Sequence, residues 1–467
     1  MTDRKIALAR LGGRTAAGVA GLAATAAVLG AVFTLPLSTA HAQPASRVVR
    51  PVPATATVAC PGPLLTMSSD SAATQLSPEG KPNVISGGSE ESPASVPLSV
   101  QDVSGAHPAA FHTPASDGHE PLLAGATSLA VDTSELRGLA AANCASPGFD
   151  EWLVGGATSL GQTTLVVLSN PGDVAATVKI DSYFEQGLAA GAGGNGVLVQ
   201  PHTQRVVPLS GLVPNASATI VHVTSTGGTV SAELQQAAIS GVTPQGADWA
   251  GPAAAPAKRL VVPGVVVAGA ASGAADSDDA GVPALRVMPV GDKDAKLSIG
   301  ARPEAGSAGG QAVSVTVSHG MVSEVPLDKL GKGTFTVTVD SSTPVVAAVR
   351  SSATDAKAGT DFAWYAAADR LTGAAAIPIA PGPNGYLHLV NTSDSTVTLK
   401  LDGPGGGQVS VPAGASASRP ISSRGVLTTG DAHGLYVGVG YSGAGQLASY
   451  VAYPTSASEA ALKVYKR

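Results

Sequence analysis

One pattern occurs three times along this chain and limits what it can fold into more than any other feature: LVVLSNPGDVAATVKI at 165–180, ALRVMPVGDKDAKLSI at 284–299 and YLHLVNTSDSTVTLKL at 386–401. The same alternate columns are apolar in every copy: Val166, Leu285 and Leu387; Leu168, Val287 and Leu389; Val178, Leu297 and Leu399; Ile180, Ile299 and Leu401. A period of two puts successive side chains on opposite faces, so each run reads as a strand with one buried face. Each copy breaks at a polar stretch ending in Asp173, Asp292 or Asp394, which reads as a tight turn and makes each copy a β-hairpin.

The repetition continues past the hairpin. A strand closing on Val207-Pro208-Leu209 has counterparts closing on Val325-Pro326-Leu327 and Arg419-Pro420-Ile421, the proline marking an edge or a turn. An alternating strand follows, ATIVHVTS from Ala218, GTFTVTVD from Gly333 and GLYVGVGY from Gly434. A last one comes after it, VSAEL from Val230, VVAAV from Val345 and LASYV from Leu447. Five to seven strands per roughly 100 residues is the count of a β-sandwich. At 467 residues the chain is also too long for a single core. The expectation is an all-β fold, a tandem array of three immunoglobulin-like β-sandwich units at 150–257, 258–369 and 370–467, the last with a short basic tail. A β-propeller-like arrangement is the alternative, although its blades would run about 40 to 50 residues.

All three tryptophans fall at unit boundaries: Trp152 after Asp150-Glu151, Trp249 after Asp248, and Trp364 in Asp361-Phe362-Ala363-Trp364. Exposed, such rings are platforms for sugar stacking. Recurring at each junction, they read more simply as inter-unit packing, large apolar groups buried where one sandwich meets the next.

Ahead of the repeats, Arg4, Lys5, Arg10 and Arg14 precede an uncharged apolar run at 15–37 and the triplet Ala40-His41-Ala42. A cationic start, an apolar segment and A-x-A together form an export signal, with cleavage between Ala42 and Gln43. The run is also long enough to span hydrocarbon, so residues 1–42 read as a signal peptide or as an uncleaved membrane-anchor helix through 15–37. Either way the chain from Gln43 onward is expected to be exported, extracellular or anchored on the outer face of the cytoplasmic membrane. Residues 43–149 read as one or two strands, a Ser-, Pro- and Gly-rich stretch expected to be disordered from 66 to about 126, and a disulfide region. Cys60 and Cys144 are the only thiols and bracket that stretch. In an exported chain they are expected to bond, contributing up to about 4 to 5 kcal/mol on the chain-entropy model.

The export signal, the VACPGP element around Cys60, Cys144 ahead of a Trp-Leu-Val strand and the LSNPGD-type repeats together resemble an uncharacterised family of secreted, envelope-associated proteins of high-GC Gram-positive bacteria, a domain of unknown function. The resemblance implies an envelope or extracellular location and brings no catalytic or binding residue with it.

Charged residues are 13% of the chain and the net charge is -6, which leaves no clustered basic footprint and excludes nucleic acid as an expected partner. GxxxxGK[ST], G-x-S-x-G, S-x-x-K and HExxH are absent, and no GxGxxG opens a helix after a strand. Asp276, Asp278 and Asp279 form a weak candidate Ca²⁺ cluster without the usual loop frame, and otherwise read as solvated charge. His107, His112 and His119, near Asp117 and Glu120, match no rigid metal template. His222 and His388 fall on the polar faces of alternating strands and read as solvated. No catalytic residue and no cofactor is expected. The expected function is that of a non-catalytic extracellular or cell-envelope protein with a structural or partner-binding role, its partner an envelope protein or cell-wall glycan. The alternative is a cell-wall carbohydrate-binding protein or glycan-acting enzyme.

Overall fold

The computed structural model describes residues 46–49, 55–67, 75–89, 92–115, 121–190, 192–268, 282–305, 309–454 and 462–465. The export segment with its Ala42–Gln43 junction, and the acidic cluster Asp276, Asp278 and Asp279, lie outside them. The chain forms two compact units, Met1–Pro51 with Glu459–Arg467, and Val52–Ser458. In the first, Ser46–Val49 pairs antiparallel with Leu462–Tyr465. In the second the described residues are strands and turns with two single 3-10 turns, Ala192–Gly194 and Leu209–Gly211. The fold is all-β.

Every residue of the alternating columns is buried, Val166, Leu168, Leu285, Val287 and Leu389 completely so. The two strands of each copy nevertheless do not pair with each other. Gln162–Asn170 bonds to Thr203–Pro208 and Ser231–Ser240 in one sheet, while Ala176–Phe184 bonds to Ile220–Gly227 and Val197–Val199 in another. The expected hairpin is therefore an arch, in which the chain crosses from one sheet to the facing one and the columns meet across the core instead of side by side. Val166, Leu168, Val178 and Ile180 all belong to that one core. The corner is held by an asparagine and not by the aspartate. Asn170 accepts from the amide of Gly172 at 3.0 Å and donates to the carbonyls of Val174 and Val199 at 2.8 and 3.1 Å. Asn391 repeats this with the amide of Ser393 and the carbonyls of Ser395 and Val411. Both are buried.

The second and third repeats keep the same two layers. In the second they merge, because the strand Gly333–Asp355 runs through both: its first half pairs with Ala257–Val267 and Ala295–Pro303, its second with Ala284–Pro289 and Gly359–Ala366. In the third, Tyr386–Asn391 pairs with Ser416–Pro420 and Leu435–Gly443, and the other layer contains Ala375–Ile379 with Gly425–Thr429 and Val397–Leu401 with Gly407–Val411. The sequence alignment of this repeat slips by one strand. GLYVGVGY pairs with the first column strand as VSAEL does, so its counterpart is VSAEL, and the true counterpart of ATIVHVTS is the short Gly425–Thr429.

The stretch expected to be disordered carries strands. Asn83–Gly88, Leu123–Asp132 and Arg137–Asn143 form one antiparallel sheet; Ala56–Ala59, Ala109–Thr113 and Ala94–Pro97 form another. Their small side chains bury little by themselves, which removes the periodic signal. They are held by packing on the repeats: Ala126, Leu139 and Ala141 join the core of the third repeat, and Leu129 and Ala140 lie with Trp249 of the first.

Each repeat ends in a strand at the edge of its sheet, Thr243–Ala250, Gly359–Ala366 or Gln446–Val451, and Arg137–Asn143 is the edge of the N-terminal sheet. These four strands lie against one another in a ring, each touching the next and the last touching the first. The sandwiches are thus not strung end to end but gathered, propeller-like, around their final strands.

Candidate functional site

Four edge strands facing one another present backbone amides that no strand pairs, in a place water does not reach, and each such amide left alone costs about 1 to 3 kcal/mol. Two aspartates supply the missing acceptors. Asp361 accepts from Leu139 at 2.8 Å, Leu447 at 3.1 Å and Phe362 at 2.9 Å, and the amide of Ala247 also bears on it. One carboxyl group therefore gathers amides from all four strands of the ring. Asp248 accepts from Trp364 at 2.8 Å, with the amides of Trp249 and Ala141 beside it. Both are fully buried. Burial pushes Asp361 up to about 8, against the opposing pull of its amides. Burial, and then the neighbouring Asp361, hold Asp248 well above the usual carboxylate range. The close approach explains two glycines. Cβ atoms at Gly138 and Gly246 would lie 2.2 and 2.9 Å from Asp361 Oδ1, and both residues have positive φ, +128° and +132°.

Two of the three tryptophans flank this centre. Trp249 packs with Leu129, Leu136 and Ala140 of the N-terminal sheet. Trp364 enters the core of the first repeat, donates from its indole to Gln236 at 2.8 Å and lies under the Arg286 guanidinium at 4.6 Å. Arg286 is itself buried, bonds to the first repeat's Gly156, Thr219 and Ser217 carbonyls and pairs with Glu324 at 2.7 Å. Trp152 sits elsewhere, stacked on His222 of its own repeat at 4.0 Å and 7°. The cavity between Trp249, Trp364, Asn143 and Tyr450 measures about 10 Å³. That is room for at most one water, so neither ring offers a face to a sugar.

Two further buried groups escaped the sequence. His388, expected on the surface, is buried and pairs with Glu304 at 2.6 Å, while Glu304 also accepts from Gly264 and Thr336. Its ring fills the space that Cβ atoms at Gly264 and Gly440 would take, which joins the second repeat to the third. The other is a pair of acids, Glu151 and Glu233, both pushed up chiefly by burial, Glu151 to about 8. Glu151 accepts from Ala232 at 2.7 Å. Among the described residues no three His, Cys, Asp or Glu side chains converge as a metal site, and His107 and His112 are not brought together in one.

Cys60 and Cys144 form a disulfide, with Cα atoms 4.2 Å apart. Beside it opens a cleft of about 350 Å³ bounded by Thr55, Thr57, Asn143, Pro147, Thr229 and Tyr453.

Fold and site together define an all-β protein of sandwich repeats gathered on a carboxylate-bonded centre. The chain belongs to a family of unknown function, DUF5719, whose model matches residues 99–415. Three of the four ring strands and both aspartates lie inside that match. No curated protein and no solved structure matches the chain.

Proposed function

We propose that this is a non-catalytic protein exported to the envelope of a high-GC Gram-positive bacterium, where it has a structural or partner-binding role. The observation that carries this is the use of its buried acids. Asp248 and Asp361 bind amides of the ring strands and so fasten the repeats to one another, and both carboxyl groups are fully buried, with no exposed face to offer a substrate. The disulfide agrees with an oxidising compartment. Its partner is an envelope protein or a cell-wall glycan. A photo-crosslinking residue at exposed positions, Val242 and Leu160 among them, tests this in intact cells. Covalent adducts in the envelope fraction are expected. Retention of the native chain in the cytoplasm, or hydrolysis of purified cell-wall glycan by the isolated protein, overturns it.

A further inference from the structure

We infer that the cleft beside the disulfide receives an extended, uncharged polypeptide segment, which adds as a strand to the free edge of Ala56–Ala59; this rests on the partner-binding reading above and gives the partner its chemistry. Among the described residues, that strand is the outermost of its sheet, with Ala109–Thr113 its neighbour on one side. Antiparallel pairing alternates, so residues two apart direct their backbone groups the same way. Cys60 donates to Ala109 at 3.0 Å, toward the sheet. Ala59 points away, exchanging bonds of 2.9 and 3.0 Å with Ala145. Thr57 must therefore point away as well. Continued in the same register, the residue opposite Thr57 is Pro147, which has no N–H to give. The chain leaves at that point, because Gly148 is taken up by Val230 of the first repeat through bonds of 2.8 and 3.1 Å.

The open edge and the cleft coincide: Thr55, Thr57, Ser146 and Pro147 all line it, and none of the described residues lining it is charged. The outward N–H and C=O of Thr57 call for another backbone, as in strand addition, and uncharged walls select a neutral segment over an acidic or basic one.

The test uses the full exported chain and a displayed library of random eight-residue peptides. Expected hits lack Asp, Glu, Lys and Arg, and synthetic copies methylated on alternate backbone nitrogens bind at least tenfold more weakly. Thr57→Pro removes the outward N–H and lowers affinity by a similar factor, whereas Thr57→Val leaves it within twofold. No enrichment, or methylated copies that bind equally well, overturns the inference independently of whether Thr57→Pro folds. In intact cells, crosslinkers at Ser146 and Val242 separate the two levels. Adducts at Ser146 that Thr57→Pro abolishes support the cleft; adducts at Val242 alone sink the cleft and spare the partner-binding reading; adducts at neither sink both.

Discussion

The ring at the centre and the strand edge beside the disulfide face the same difficulty, backbone groups with no strand to pair them, and meet it differently. In the ring Asp361 and Asp248 answer the amides, at the expense of burying two carboxyl groups close together. At Thr57 the half-exposed edge is open to water. A sheet edge inside a protein must be capped by side chains, and one at its surface can stay free and be put to use. The largest expected effect breaks this contrast at its centre. Asp361→Ala strands the amides of Leu139, Leu447 and Phe362 in a dry site and should cost about 3 kcal/mol or more. Thr57→Pro, on the outer edge, should stay within about 0.5 kcal/mol. Chemical denaturation of both variants decides it, and equal losses would mean that the ring is held by packing alone.

The second prediction concerns pH. Asp361 rises from an ordinary 3.8, and Glu151 from 4.5, to about 8 in the fold. Both therefore keep a proton when folded that the unfolded chain has released. Their contribution is fully present below about pH 4 and is lost as pH rises through about 8. Stability should fall by roughly 1.4 kcal/mol per pH unit for each such group within that window. Melts between pH 5 and 9 measure this, and Asp361→Asn should flatten the slope. A stability that rises over that range would show the ring acids to be ionised in the fold.

What could be read from the residues divides along the same line. The column positions were legible because a one-sided strand leaves a period of two whatever it pairs with. The partner of each strand was not, since Val166 and Val178 alternate identically whether they lie side by side or face each other across a core. Arg137–Asn143, the fourth strand of the ring, reads GLAAAN after its arginine, small residues with no period. Asp248 and Asp361 were noticed only as neighbours of tryptophan, because their amide partners are scattered over the chain. Gly138 and Gly246 were the available signal, since both stand where only a missing Cβ admits Asp361. His388 was misplaced for a related reason. A polar face on a strand reads as solvent until a second repeat brings Glu304 onto it.

The smallest expected effect tests the arches. The aspartate that ends each polar break was the visible turn residue, yet Asp173 reaches outward to His202 at 2.9 Å on the surface, and exposed pairs of this kind contribute little. Asn391 instead is buried and donates to three carbonyls, those of Ser395, Val411 and Pro412, at 2.7, 3.0 and 3.1 Å. Asn391→Ala leaves those carbonyls without that donor and removes the acceptor for Ser393, which should cost about 1 to 2 kcal/mol. Asp394→Ala, three residues beyond Asn391 in the same turn, should change stability by less than about 0.5 kcal/mol. The second repeat has Pro289 where the other two have asparagine, and there the amide of Val290 donates to Pro344 at 2.9 Å, so its corner is closed by backbone alone. Replacing Pro289 with Asn should therefore gain nothing. If Asp394→Ala proves as costly as Asn391→Ala, the corner is a carboxylate turn after all, and the layers are joined by the residue that the sequence made conspicuous.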